Sequence, residues 1–121
     1  MIPPYILVRT GRRSIAIRVT GANAALNGVP GRIEACVADV QVWRPPAPYG
    51  IVLANLLSGL LIESADRIAA AVAPGAAARL VLSGILTPQY PEVKRVYAAQ
   101  GFREVRSLVL GDWTTGCFGR V

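Results

Sequence analysis

The chain has 121 residues, of which 53% are hydrophobic, and this length suits one domain with a single core. It has 13 lysines and arginines against 7 aspartates and glutamates, a net charge of +6, and no histidine. The lack of histidine excludes Ser-His-Asp and Cys-His catalysis and most zinc sites.

Neither a membrane helix nor a secretory signal is predicted. The longest uncharged apolar stretch, residues 51–62, is shorter than the roughly 20 residues that a membrane helix needs. At the start of the chain the positive charges follow the apolar residues, which is the reverse of a secretory signal. Cys36 and Cys117 are too far apart for a CxxC metal site, so we expect buried thiols, no metal and a cytoplasmic protein.

The basic residues form no dense block and alternate with no aromatic platform, so no direct nucleic-acid motif is present. A solvated basic surface is therefore the favoured interpretation. An acidic or RNA-containing partner is the alternative.

In chain order, the first predicted elements are short. SIAI (14–17) is an apolar run typical of a strand, and residues 18–29 favour a helix that ends at an Asn-Gly pair. Residues 32–40 alternate apolar and polar side chains and predict a strand ending at Asp39.

Longer elements follow. IVLA (51–54) is a continuous apolar run, as expected for a strand covered on both faces. The helical spacing of apolar residues predicts one helix over residues 58–72. Residues 78–86 predict another buried strand, and a helix begins near Pro91.

The chain ends in two strand-like segments, 103–110 and 114–121, that are joined around Gly111 and favour a hairpin. The predicted fold is therefore α/β, a mostly parallel sheet that ends in an antiparallel hairpin, in a single domain over residues 1–121. Asp39, Asn55 and Ser83 lie at strand ends, where ligands bind in open parallel sheets.

Several segments occur together in a specific order. They are ANAALNGV (22–29), VADV (37–40), PYGIVLANLLSGLLIE (48–63), APG (73–75), LVLSGILTPQ (80–89), VYAAQGF (96–102) and GDW (111–113). With them, residues 12–116 resemble the bacterial methyltransferases that modify ribosomal large-subunit protein eleven. Those are class I enzymes that use S-adenosylmethionine (SAM), and the resemblance implies an incomplete Rossmann-like sheet of that class.

The resemblance also implies roles for individual residues. Asp39 matches the acidic residue that accepts the adenine amino group of SAM, although a carboxylate that only caps a strand end is the alternative. Asn55 matches the polar residue that holds the amine nucleophile and adjoins the cofactor, although a turn-forming asparagine is the alternative. Leu56 and Leu57 would wall the substrate pocket, together with Ser83. The expected partner is a ribosomal protein substrate, methylated on lysine or an N-terminal amine.

Methyl transfer to an amine requires few polar residues from the protein. Methyl transfer from a sulfonium to an amine is an in-line displacement on a carbon that is already activated. The protein mainly aligns the two reactants, so neither a metal nor an acid–base pair is required.

The chain departs from the family pattern in its N-terminal part. No two glycines are separated by a single residue, so the glycine-rich turn that grips SAM is missing. We expect the acidic turn after the second strand to be deleted as well, because SIAI runs directly to Arg18, and we expect the separate substrate-recognition domain of the family to be lacking. Residues 1–17 are divergent and residues 18–121 are family-like. The alternative function is thus a non-catalytic remnant that no longer binds SAM and acts at most as a protein-interaction module.

YILV (5–8) is too close to SIAI for a parallel crossover, so we expect it to pair antiparallel or to be a helical remnant. IVLA then lacks its usual neighbour. We expect homo-oligomerisation through this edge, compensation by the N-terminal segment, or poor solubility.

Overall fold

The computed structural model describes residues 5–9 and 14–121. Two compact units are present, Met1–Trp43 and Arg44–Val121. A two-stranded sheet belongs to the first unit and a four-stranded sheet to the second. The division into two units does not test whether residues 1–121 form a single domain, so the single domain stays a prediction.

The first unit is a parallel strand pair with a helical crossover. Strand β1 (Tyr5–Arg9) is followed by helix α1 (Ser14–Leu26) and strand β2 (Ile33–Val37), and β1 pairs with β2 in parallel. Two predictions are wrong here, since SIAI begins the helix and YILV pairs in parallel. The four apolar residues of SIAI fit either a strand or a helix, and as part of α1 they supply the long crossover that a parallel pair requires.

The second unit contains strands β3 (Ile51–Asn55), β4 (Arg79–Leu86), β5 (Phe102–Leu110) and β6 (Trp113–Arg120). Their spatial order is β3-β4-β6-β5. The pair β3–β4 is parallel, whereas β4–β6 and β5–β6 are antiparallel. The α/β class and the terminal hairpin are confirmed, and the sheet is mixed, so a mostly parallel sheet is not confirmed.

Three helices follow the strands of this unit: α2 (Ser58–Glu63), α3 (Ala65–Ala71) and α4 (Tyr90–Ala99). The single helix predicted over residues 58–72 is interrupted at Ser64, whose φ of −102° and ψ of 14° leave the helical region. No helix in the described part of the chain is both long and apolar enough to cross a membrane.

The core of the second unit lies on one face of its sheet. Leu80 and Leu82 of β4 are fully buried there, next to Phe118 of β6. The Tyr97 hydroxyl of α4 donates a hydrogen bond of 2.8 Å to the Leu61 carbonyl of α2, which ties the two covering helices together. Its ring packs against that of Phe118.

Large apolar side chains remain exposed on the opposite face. Leu86, Trp113 and Leu110 stand side by side on three adjacent strands, and all are exposed. Ile51 is 69% exposed and Leu53 is 74% exposed. IVLA is a strand, as predicted, but the expected cover on both faces is wrong, because the face that carries Ile51 and Leu53 is exposed. Within residues 5–9 and 14–121, β3 is also an edge strand.

Candidate functional site

Asn55 ends β3 and is exposed. It lies opposite Ser83 of β4 in the parallel register, so both side chains are on the same face of the sheet. The chain leaving β3 stays attached to β4, because the Leu56 N–H donates to the Ser83 carbonyl at 3.3 Å. The structure thus brings Asn55, Leu56 and Ser83 together.

The lack of a side chain at Gly84 leaves room for the Asn55 side chain. The register of β4 against β6 shifts between Leu82 and Ile85, and Gly84 has a φ of +78°, which favours glycine. A Cβ atom at Gly84 would lie 2.5 Å from Asn55 Oδ1 and 3.2 Å from the Leu56 carbonyl oxygen. Both acceptor oxygens therefore lie close to Gly84, which has no side chain to displace them.

The loops that follow β3 and β4 are joined by a hydrogen bond. Ser58, the first residue of α2, donates from Oγ to Oε1 of Gln89 at 2.6 Å. Gln89 belongs to a 3-10 turn, Thr87–Gln89, directly after β4. Sequence reasoning did not single out this pair as site residues, although both lie within the segments that carry the resemblance.

The two predicted pocket leucines differ in exposure. Leu56 is half-buried, and Leu57, just before α2, is 75% exposed. Ser83 is half-buried beside them.

Burial raises the pKa of the Tyr90 hydroxyl and of the Tyr97 hydroxyl, and the hydrogen bond from Tyr90 lowers the pKa of Glu104. None of these three is a predicted site residue. Asn55 is neutral, so this site can align a ligand by hydrogen bonds without transferring a proton.

Asp39 lies in the first unit, two residues after the end of β2, and is exposed. Its Oδ1 accepts the Gln41 N–H at 2.9 Å, so one carboxylate oxygen stabilises its own turn. The other oxygen can accept a further hydrogen bond from a ligand.

These residues fit only part of SAM. The Asp39 oxygen that does not accept the Gln41 N–H can chemically accept the adenine amino group, whereas these 121 residues contain no Gly-x-Gly turn to hold the methionyl part. In the described part of the chain, no group of three or more His, Cys, Asp or Glu residues is placed to hold a metal ion. Cys36 and Cys117 are half-buried rather than fully buried.

Comparison with known proteins identifies relatives of this chain. Residues 10–120 match the family model of ribosomal protein L11 methyltransferase (PrmA). The ribosomal protein L11 methyltransferase of Brucella suis is 33% identical over 115 residues, which are 93% of this chain and 40% of that protein. The Mesorhizobium japonicum relative of the same name is 36% identical over 104 residues, 84% of this chain and 35% of that protein. The chain thus spans about 40% of the length of these relatives.

Solved structures share the fold. The ribosomal protein L11 methylase of Lactobacillus delbrueckii subsp. bulgaricus superposes with a TM-score of 0.80 at 19% identity, over 93% of this chain and 56% of that one. A putative methyltransferase of Thermoplasma acidophilum gives 0.75 at 12% identity, over 95% and 57% of the two chains. Together they support a partial Rossmann-like α/β fold.

Proposed function

Because the chain belongs to the ribosomal protein L11 methyltransferase family, we propose that it acts in SAM-dependent methylation of an amine on a ribosomal protein. The amine is that of a lysine side chain or of an N-terminus. The proposal rests chiefly on the side-chain oxygen of Asn55 and the carbonyl oxygen of Leu56, two hydrogen-bond acceptors that both lie close to Gly84.

Asn55 is the proposed catalytic residue because its carboxamide can orient the nucleophile. A primary amine donates two N–H groups, one to Asn55 Oδ1 and one to the Leu56 carbonyl oxygen. Its lone pair then points away from both oxygens, toward the carbon to be transferred. An ammonium ion has no lone pair, so only the neutral amine reacts in this position, and alignment supplies most of the rate enhancement.

The side chains around Asn55 would form the pocket for the substrate. Leu56 and Leu57 supply apolar walls for the methylene groups of the amine side chain, and Ser83 borders the opposite side. The Ser58–Gln89 hydrogen bond would join the segment after β3, which carries Leu56 and Leu57, to the segment after β4.

SAM, when bound, supplies a methyl group that is already activated, so the protein needs no metal. Asp39 would hold the adenine amino group through the carboxylate oxygen that does not accept the Gln41 N–H. The cytoplasmic location predicted from the sequence goes with a ribosomal substrate.

A non-catalytic remnant is the second candidate. It is favoured by the lack of any Gly-x-Gly turn in these 121 residues. Such a remnant would no longer bind SAM and would act at most as a protein-interaction module.

Calorimetry with SAM separates the two candidates. The chain is titrated alone and then together with a fragment of the Mesorhizobium japonicum relative that precedes its match to this chain. Micromolar binding in either sample, weakened by Asp39→Ala but not by the matched exposed change Asp112→Ala, supports the enzyme. Millimolar or absent binding in both samples supports the remnant.

A further inference from the structure

The carboxamide of Gln89 is not used by its own helix. Gln89 is the N-cap residue of α4, yet its side chain makes no capping hydrogen bond, and the residue is exposed. The side chain reaches instead to Ser58, whose Oγ donates to Gln89 Oε1 at 2.6 Å. This length is typical of an O–H···O hydrogen bond and short for one that an amide N–H makes. The oxygen therefore faces Ser58, and the carboxamide nitrogen keeps two N–H donors for other groups.

The turn that carries Gln89 is also attached on its other side. The Thr87 N–H donates to the Asp112 carbonyl at 2.8 Å, and the hydroxyls of Thr87 and Thr114 share a hydrogen bond of 2.9 Å. Pro88 restricts the backbone further, because its ring fixes φ. Gln89 thus presents its donors from a turn that is held both by the start of α2 and by the terminal hairpin.

Three kinds of group follow one another along the segment after β3. Asn55 carries the acceptor proposed for the amine, Leu56 and Leu57 come next, and Ser58 then holds the Gln89 carboxamide. A lysine residue has matching groups in the same order, namely an amine, a chain of methylene groups and a backbone carbonyl. An N-terminal amine, in contrast, lies next to its own carbonyl group without a methylene chain between them. The order of groups therefore favours lysine.

We propose that Gln89 is a substrate-binding residue that donates a hydrogen bond from its carboxamide nitrogen to a backbone carbonyl of a lysine-containing peptide. The inference rests on the proposed function and deepens it, because it selects a lysine side chain rather than an N-terminus as the methylated group. Asn55 would then bind the amine and Gln89 the backbone, so both ends of the lysine residue are held. Because every residue has a backbone carbonyl, Gln89 orients the peptide rather than selecting its sequence.

Two short peptides test the proposal without SAM and without turnover. One is Gly-Lys-Gly, acetylated at its N-terminus and amidated at its C-terminus. The other has norleucine in place of lysine, which keeps the side-chain carbons and the backbone but lacks the amine. Each peptide is titrated into the full chain and followed by NMR. We expect both peptides to shift the side-chain NH2 signals of Gln89.

The variant Gln89→Glu separates peptide binding from the attachment of the turn. A carboxylate still accepts the Ser58 hydroxyl, whereas both N–H donors are lost. The norleucine peptide should therefore bind this variant about 5–10-fold more weakly than it binds the wild type, which is the loss expected for one hydrogen bond. Gln100→Glu makes the same chemical change at the other end of α4 and should bind the peptide like the wild type. Unchanged hydrogen-exchange protection between β4 and β6 shows that each variant is folded.

The variant Asn55→Ala distinguishes this inference from the proposed function. It should weaken binding of the lysine peptide and leave binding of the norleucine peptide unchanged, because norleucine has no amine. If the chain does not methylate ribosomal protein L11 but Gln89→Glu still weakens binding of the norleucine peptide, the proposed function fails and the peptide-binding role of Gln89 stands.

Three results would overturn the proposal. One is that neither peptide shifts the side-chain signals of Gln89. Another is that Gln89→Glu binds the norleucine peptide as tightly as the wild type does, since the hydrogen bond with Ser58 would then only join two segments. The third is an equal loss of binding in Gln100→Glu, which would assign the effect to the added charge.

Discussion

Replacing Gly84 by alanine tests the geometry on which the proposed site depends. The new Cβ would lie 2.5 Å from Asn55 Oδ1, so the carboxamide must rotate away. The φ of +78° alone costs a side chain roughly 1–2 kcal/mol. Displacing Asn55 from its rotamer adds about 0.5–1.5 kcal/mol.

Gly101→Ala is the matched control. Gly101 has a φ of +90° and no atom within 4 Å of its Cβ position, so its replacement carries the backbone cost alone. In urea unfolding, Gly84→Ala should therefore lower the free energy of unfolding by about 0.5–1.5 kcal/mol more than Gly101→Ala does. The corresponding difference in Tm is about 4 °C per kcal/mol.

A double-mutant cycle shows whether Asn55 causes the excess. With Asn55→Ala in place, the excess cost of Gly84→Ala over Gly101→Ala should become smaller, because only the contact with the Leu56 backbone remains. An equal cost in the wild-type background, or an excess that Asn55→Ala leaves unchanged, would refute the placement of Asn55 against Gly84.

Two further predictions concern the core side of the sheet. Tyr97→Phe leaves the buried Leu61 carbonyl without its donor and should cost about 1–3 kcal/mol in urea unfolding; a cost near zero would contradict the buried hydrogen bond. The hydrogen bond from Tyr90 lowers the pKa of Glu104 below its ordinary 4.5. Glu104 thus adds stability above about pH 4.5 that is lost as the pH falls through its folded pKa. The urea midpoint of Glu104→Gln should therefore fall less at acidic pH than that of the wild type. A midpoint with the same pH dependence in both proteins would contradict this role of Glu104.

The predictions from sequence succeeded where a segment carries a long pattern and its own stop signals. The hairpin β5–β6 and the helix α4 were predicted because Gly111 and Pro91 mark their limits. The strand prediction for SIAI was wrong because four apolar residues fit a strand and a helix equally well. Only the pairing of β1 with β2 decides between them.

The candidate site was predictable in its residues but not in its geometry. Asn55 stands out as a polar residue at the end of an apolar strand. The fit of its side chain against Gly84 depends on a local register shift in β4, which no periodicity indicates. The apolar sequence of β3 predicts a strand covered on both faces, whereas Ile51 and Leu53 are exposed on one face.

Turnover of the Asn55→Ala variant tests the central claim most directly. Methyl transfer to ribosomal protein L11 is measured with the chain and the fragment of the Mesorhizobium japonicum relative, with the exposed Glu92→Gln as the control. We expect Asn55→Ala to lower kcat about 100-fold, because a misaligned amine loses most of its reactivity. An inactive wild-type pair, or a kcat that Asn55→Ala leaves unchanged, would contradict the account.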